Sequence, residues 1–252
     1  MRNVVIIQAR MTSTRLPGKV LMDITGRPML CHQLDRLKKC TMVDSIVIAT
    51  TVNTSDDVIV RTACQEGVDY FRGSERDVLG RYIGAARRAK ADVVVRITAD
   101  CPLMDPEVVD LMISTLLKDK TGCDYVSNII QRTYPRGLDV EALYFDTLVR
   151  LDRLGKSKAD REHVTLLMRS GYPDLFIRRS ITDSTNNSDL RLTVDRSEDL
   201  ELIRTLFEKL NLRNDHLSYR DIVAYLRQHP ELIEINSHVE TWEPAQPVFR
   251  KP

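Results

Sequence analysis

Apolar, β-branched runs of strand length recur along this chain: VVIIQA at 4–9, SIVIATT at 45–51, ADVVVRIT at 91–98 and LRLTVD at 190–195. They show little alternation between apolar and polar positions, which predicts strands buried on both faces. Residues 29–39, 56–65, 77–90, 106–118 and 197–209 carry apolar side chains at helical spacing. Strand and helix alternating in this way predict a mostly parallel sheet with helices on both faces, a three-layer α/β arrangement. Helix-start signals agree. Asp105 precedes Pro106, a capping carboxylate before a proline whose missing N–H costs nothing in the first turn. Asp195 with Glu198 three residues on has the spacing of a capping box.

At 252 residues the chain is predicted to form a single domain, 1–252, with a substantial core. Residues 128–182 read differently, with less regular strands, the turn YPRGLD and helical stretches at 146–154 and 160–169. This part is expected to elaborate the core. The last dozen residues, with Trp242 and three prolines, predict an extended tail packed on a surface.

Thirty-seven Lys and Arg stand against 36 Asp and Glu, a formal net charge of +1. That balance argues against nucleic acid as a partner, which needs a broad basic face. The five cysteines include no C-x-x-C pair, so neither a disulfide framework nor a zinc site is expected. The apolar run at 4–7 is too short for a signal-peptide core or a membrane span. The expectation is a cytoplasmic protein with no membrane partner.

Directly after the first predicted strand the chain places Arg10, Arg15 and Lys19 among the hydroxyls of Thr12, Ser13 and Thr14, with Gly18 between them. In an open α/β sheet the ligand crevice lies beyond the carboxyl ends of the strands. Guanidinium and ammonium groups there suit a polyphosphate. The stretch is neither a Walker A loop nor a dinucleotide fingerprint. Solvated loop charge is the alternative. Asp100 and Asp195 each end an apolar run, and two carboxylates converging at strand ends would suit one Mg²⁺ with substrate phosphates. For Asp195 the competing role is the helix cap. His163 lies on a helical pattern and is either a substrate contact or a structural residue. Cys101 is discounted as a nucleophile, because no histidine is close in sequence.

The segments QARMTSTRLPGKVL, GSERDVLGRY, TADCPLMDP, YPRGLDVEAL, REHVT and TVDRSEDLELI resemble, in that order, the spore-coat polysaccharide (SpsF-type) cytidylyltransferase-like family, over about residues 1–210. Its relatives are the 3-deoxy-manno-octulosonate and acylneuraminate cytidylyltransferases. The resemblance implies a Rossmann-like nucleotidyltransferase fold, commonly dimeric. It also implies transfer of CMP from CTP to a sugar or sugar acid, with pyrophosphate released, for surface polysaccharide synthesis.

Carried onto this sequence, the resemblance places Ala9, Arg10, Thr12, Ser13, Arg15 and Lys19 in the triphosphate loop. Asp100 and Asp195 become the magnesium ligands, and Arg15, Lys19 and Asp100 the catalytic groups. Ser74 and Arg76 fall near the base. Thr98 stands where the octulosonate enzymes carry Gln, and Arg136, Asp139, Glu141 and His163 stand in the sugar half. Two other functions fit the same sequence: a sugar-nucleotide-dependent glycosyltransferase, although no D-x-D triplet is present, and a noncatalytic nucleotide-binding partner in polysaccharide assembly.

Overall fold

The computed structural model describes residues 1–119, 122–171 and 173–240, so the tail expected around Trp242 lies outside the described residues. The chain begins β1 (Asn3–Gln8), β2 (Asp23–Ile24), β3 (Arg27–Pro28), α1 (Met29–Leu37), β4 (Ser45–Thr51), α2 (Asp57–Gln65) and β5 (Asp69–Gly73). Next come α3 (Val78–Ala89), β6 (Val93–Thr98), α4 (Pro106–Lys118), β7 (Tyr125–Ser127), β8 (Glu141–Tyr144), α5 (Phe145–Leu154) and α6 (Lys158–His163). The chain closes with β9 (Arg178–Ser180), α7 (Ser197–Lys209), α8 (Tyr219–Gln228) and α9 (Pro230–Glu234). Seven of the strands form one sheet in the order β5-β4-β1-β6-β8-β7-β9. The first four are parallel, β8 runs against β6 and β7, and β9 returns parallel to β7.

The centre of this sheet follows from the unbroken apolar runs. In β1, Val5 and Ile7 join one core with Leu30 and Leu34 of α1, Met112 of α4 and Ile203 of α7. Val4 and Ile6 face the opposite way, into a second core with Leu79 and Tyr82 of α3 and Leu148 of α5. All four β1 side chains are fully buried, each contributing about 2 kcal/mol by removal from water. Residues 128–182 are woven into this sheet, because β8 pairs directly with β6 and β9 adds the outer edge.

Three expectations are corrected. LRLTVD is not a strand of the sheet. Its apolar residues Leu190, Leu192 and Val194 are buried, but its backbone bonds are taken by two loops. Arg136 N donates to Leu190 O (2.9 Å), Leu192 N to Arg136 O (2.7 Å) and Val194 N to Asp100 O (2.8 Å). Asp195 is not the cap of α7 either. Arg196 stands at the N-cap, and Asp199 in the first turn accepts from the backbone N–H groups of Asp195 (2.8 Å) and Arg196 (3.0 Å), which leaves the Asp195 carboxylate to face elsewhere. The helix expected at 160–169 breaks at Val164, whose φ of +51° is strained for a β-branched residue. Thr165 N closes a tight turn onto His163 O (2.5 Å), and the Thr165 hydroxyl donates to Glu141 (2.5 Å).

One glycine decides how closely the loops approach. Gly137 has φ +101°, and a Cβ there would lie 2.5 Å from the backbone carbon of Leu192. Gly137→Ala is therefore expected to push the 136–139 turn away from residues 190–195 and to cost on the order of 2 kcal/mol or more. A fall in thermal midpoint of several degrees checks it, and an unchanged midpoint refutes it.

Candidate active site

The opening loop is shaped before any ligand arrives. Gly18, at φ +73°, lets the loop close with its N–H on Met11 O (2.9 Å). Met11 N in turn donates to the buried carboxylate of Asp56 (2.8 Å), which also accepts from the Thr51 hydroxyl (2.5 Å). The loop thus folds back so that Lys19, only 8% exposed, projects beneath it.

Lys19 Nζ lies 2.9 Å from Asp100 Oδ2 and 2.8 Å from Asp195 Oδ1, and it also donates to Val194 O at 2.7 Å. The two aspartates, one at the end of β6 and one before α7, therefore meet on a single cation. Arg15 Nη2 reaches Asp195 Oδ1 at 2.6 Å, and Arg191 Nη2 reaches Asp195 Oδ2 at 3.0 Å. Arg191 is itself held by Asp199 (2.8 Å). Thr98 Oγ1 donates to Asp100 Oδ1 at 2.5 Å.

Burial opposes charge on both partners of the central pair, yet their mutual attraction prevails. The Lys19 ammonium is raised above its ordinary pKa by Asp100 and Asp195. Desolvation alone would raise the carboxyl of Asp100, but Lys19 and the hydroxyl of Thr98 hold it down at about 2.

Two cavities open on this cluster. One is lined by Gln8, Arg10, Ser13, Thr14, Arg15 and Lys19 together with Thr98, Asp100 and Asp195, and the other by Arg136, Asp139, Arg191 and Thr193. Arg15, Thr98, Asp100 and Asp195 line both. The acidic pair and one guanidinium therefore stand at the junction of two compartments.

Arg10, Ser13, Arg15, Lys19, Thr98, Asp100 and Asp195 converge on this cluster as expected from the sequence, and Arg136 and Asp139 line the second cavity. Other candidates lie elsewhere. Ala9 is buried, and Thr12 donates to Glu75. Ser74 Oγ accepts from Asp77 N (3.2 Å) at the start of α3, and Arg76 is exposed. Glu141, 1% exposed, sits under the sheet face, accepting from Arg96, Tyr125 and Thr165. His163 lines neither cavity. Burial, with the positive charges of Arg169 and Arg96, keeps its pKa below the ordinary value. Cys101 is buried, and desolvation beside Asp100 raises its thiol well above the usual range, consistent with an inert thiol.

Several residues escaped the sequence reading. Glu75 ties Arg10 (3.4 Å), Thr12 and Asn53 (2.8 Å) together. Gln8 and Arg191 line the cavities. The available signal was polarity out of place: Gln8, Arg96 and Arg191 interrupt otherwise apolar runs.

Such a cluster lies beyond the carboxyl edge of a mostly parallel sheet, where open α/β folds place their ligand crevice. The chain matches the cytidylyltransferase family profile over residues 4–226 and belongs to that family. It is 32% identical over 233 residues to the spore coat polysaccharide biosynthesis protein SpsF of Bacillus subtilis, covering 90% of this chain and 94% of that one. It is also 34% identical over 122 residues to a 3-deoxy-manno-octulosonate cytidylyltransferase of Geobacter metallireducens, covering 47% of this chain and 46% of that one. Among solved structures, a cytidylyltransferase from Leptospira borgpetersenii superposes with a TM-score of 0.88 at 31% identity, covering 96% of this chain and 100% of that one. Among the described residues no helix is long and apolar enough to cross a membrane.

Proposed function

We propose that this chain transfers CMP from CTP to a sugar or sugar acid, releasing pyrophosphate, in the synthesis of a surface polysaccharide. The observation that carries the reading is the convergence of Asp100 and Asp195 on Lys19 at the junction of two cavities. Membership of the cytidylyltransferase family and likeness to SpsF and to the octulosonate enzyme support the donor, the acceptor class and the pathway.

The chain's groups divide the work. Arg10, Arg15 and the loop hydroxyls receive the triphosphate in the first cavity. Arg136 and Asp139 face the acceptor in the second. An acceptor hydroxyl attacks the α-phosphorus in line as pyrophosphate departs, so rate comes chiefly from positioning and from stabilising charge on phosphate oxygens. In this reading Arg15 and Lys19 take up the negative charge of the leaving pyrophosphate.

The reading takes magnesium as cofactor, and the donor set fits it. Asp100 and Asp195 would hold it together with substrate phosphates, the ligands Mg²⁺ uses, in the space that the Lys19 ammonium fills in the structure. When bound there, the ion would neutralise and orient the α-phosphate. A homodimer in the cytoplasm completes the proposal.

The test is a screen of the four nucleoside triphosphates against a panel of sugars and sugar acids with magnesium, reading pyrophosphate release. CTP with one acceptor should react well above the other triphosphates. Release from none of the combinations overturns the reading.

A further inference from the structure

Gln8 ends β1, lines the first cavity and lies across from Thr98 in the β1–β6 register. Its amide is not free to turn. Arg96 Nη2 donates to Gln8 Oε1 at 3.1 Å. A guanidinium has donors only, so the amide oxygen must face it and the NH₂ group must point the other way.

Arg96 is fixed in turn. The β6–β8 register sets it opposite Glu141, and its Nη1 donates to Glu141 Oε1. The other Glu141 oxygen accepts from Tyr125 Oη and Thr165 Oγ1, each at 2.5 Å. Among the described residues no hydrogen bond engages Gln8 Nε2. An ion pair buried this deeply is a weak source of net stability, but with both oxygens of Glu141 partnered it fixes the two Arg96 Nη atoms, while Arg96 Nε is buried without a hydrogen-bond partner.

Resting on the proposed nucleotidyl transfer, we infer that Gln8 is a specificity-determining contact. Its Nε2 donates to an oxygen of the bound substrates near the reacting centre, and the Arg96–Glu141 pair acts as the positioning element that keeps the donor aimed. Thr98 and Asp100, beside it on the cavity wall, border both compartments. The oxygen therefore belongs either to the nucleotide or to the acceptor, and the chemistry recognised is the same.

The experiment compares Gln8→Met, which removes the donor at similar volume, and Gln8→Glu, which replaces it with an acceptor while strengthening the partner of Arg96. Wild-type protein is run alongside. CTP binding is measured by calorimetry without acceptor, steady-state constants for both substrates are determined, and the thermal midpoint reports folding. Both variants should keep the wild-type midpoint within a few degrees while kcat/KM falls about 10- to 100-fold, as expected when a site built to donate loses its donor.

A weakened CTP Kd assigns the oxygen to the nucleotide. An unchanged Kd with a raised acceptor KM assigns it to the acceptor. Wild-type kinetics in both variants, or a loss of activity matched by a loss of midpoint in both, overturns the inference. A wild-type protein that binds CTP but releases no pyrophosphate counts against the proposed reaction, while the calorimetric arm still decides whether Gln8 contacts nucleotide.

Discussion

Lys19→Met should lower kcat/KM for CTP by on the order of 10²- to 10³-fold, the scale of losing one preorganised charge at a phosphate-transfer centre. The same variant should respond more strongly than the wild type to a divalent cation alone. In the structure the ammonium occupies the space between Asp100 and Asp195, 2.9 and 2.8 Å from their oxygens, and Arg15 and Arg191 press on Asp195 as well. A divalent cation arriving without nucleotide meets carboxylates that are already neutralised.

With methionine at position 19, Asp100 has lost its cation, so magnesium or manganese alone should raise the thermal midpoint of the variant by more than it raises that of the wild type, through simple ligand linkage. The acid limb moves too. Asp100 is held at about 2, below its ordinary 3.8, so its contribution to stability is complete above about pH 4 and disappears as pH falls toward 2. Without the ammonium its pKa rises toward the unfolded-state value, so this acid-sensitive contribution shrinks. Full turnover in Lys19→Met, with no added metal response, would refute the assignment.

Asp100→Asn and Asp195→Asn should both reduce kcat by about 10²-fold or more, but only one should markedly weaken the fold. Asp100 is braced by Thr98 and Lys19, and an amide can keep most of that geometry. Asp195 is the meeting point of Arg15, Lys19 and Arg191, with the Arg191 side chain 8% exposed. Its neutralisation leaves three cations crowded around one amide. Removing a partner from a buried ionic cluster costs on the order of 3 kcal/mol. The thermal midpoint of Asp195→Asn should therefore fall well below that of Asp100→Asn, read on the two purified variants under one buffer. Equal midpoints would show that Asp195 does not anchor the cluster, and parental turnover in either variant would remove it from the catalytic set.

Much of the architecture could be read in advance because strands buried on both faces leave a plain mark. The runs at 4–9, 45–51 and 91–98 became β1, β4 and β6, since a residue with no polar surroundings must be apolar whichever way it points. The helices at 106–118 and 197–209 appeared with those bounds. LRLTVD misled because Leu190, Leu192 and Val194 are buried as the residues of a strand are, while its hydrogen bonds go to residues 100 and 136. Glu141 misled for a related reason. A carboxylate in a motif looks like a ligand, but the pairing of β6 with β8 sets it against Arg96.

What the order of residues alone determined was the α/β class and the cationic loop after β1, because hydrophobic period and local charge are properties of neighbouring positions in the chain. Only the tertiary structure decided that Asp100 and Asp195 share one ammonium, that Arg196 rather than Asp195 stands at the N-cap of α7, and that Arg96 donates to Gln8. Each of these depends on the register and packing of segments far apart in sequence, where hydrogen-bond geometry has no counterpart in local spacing.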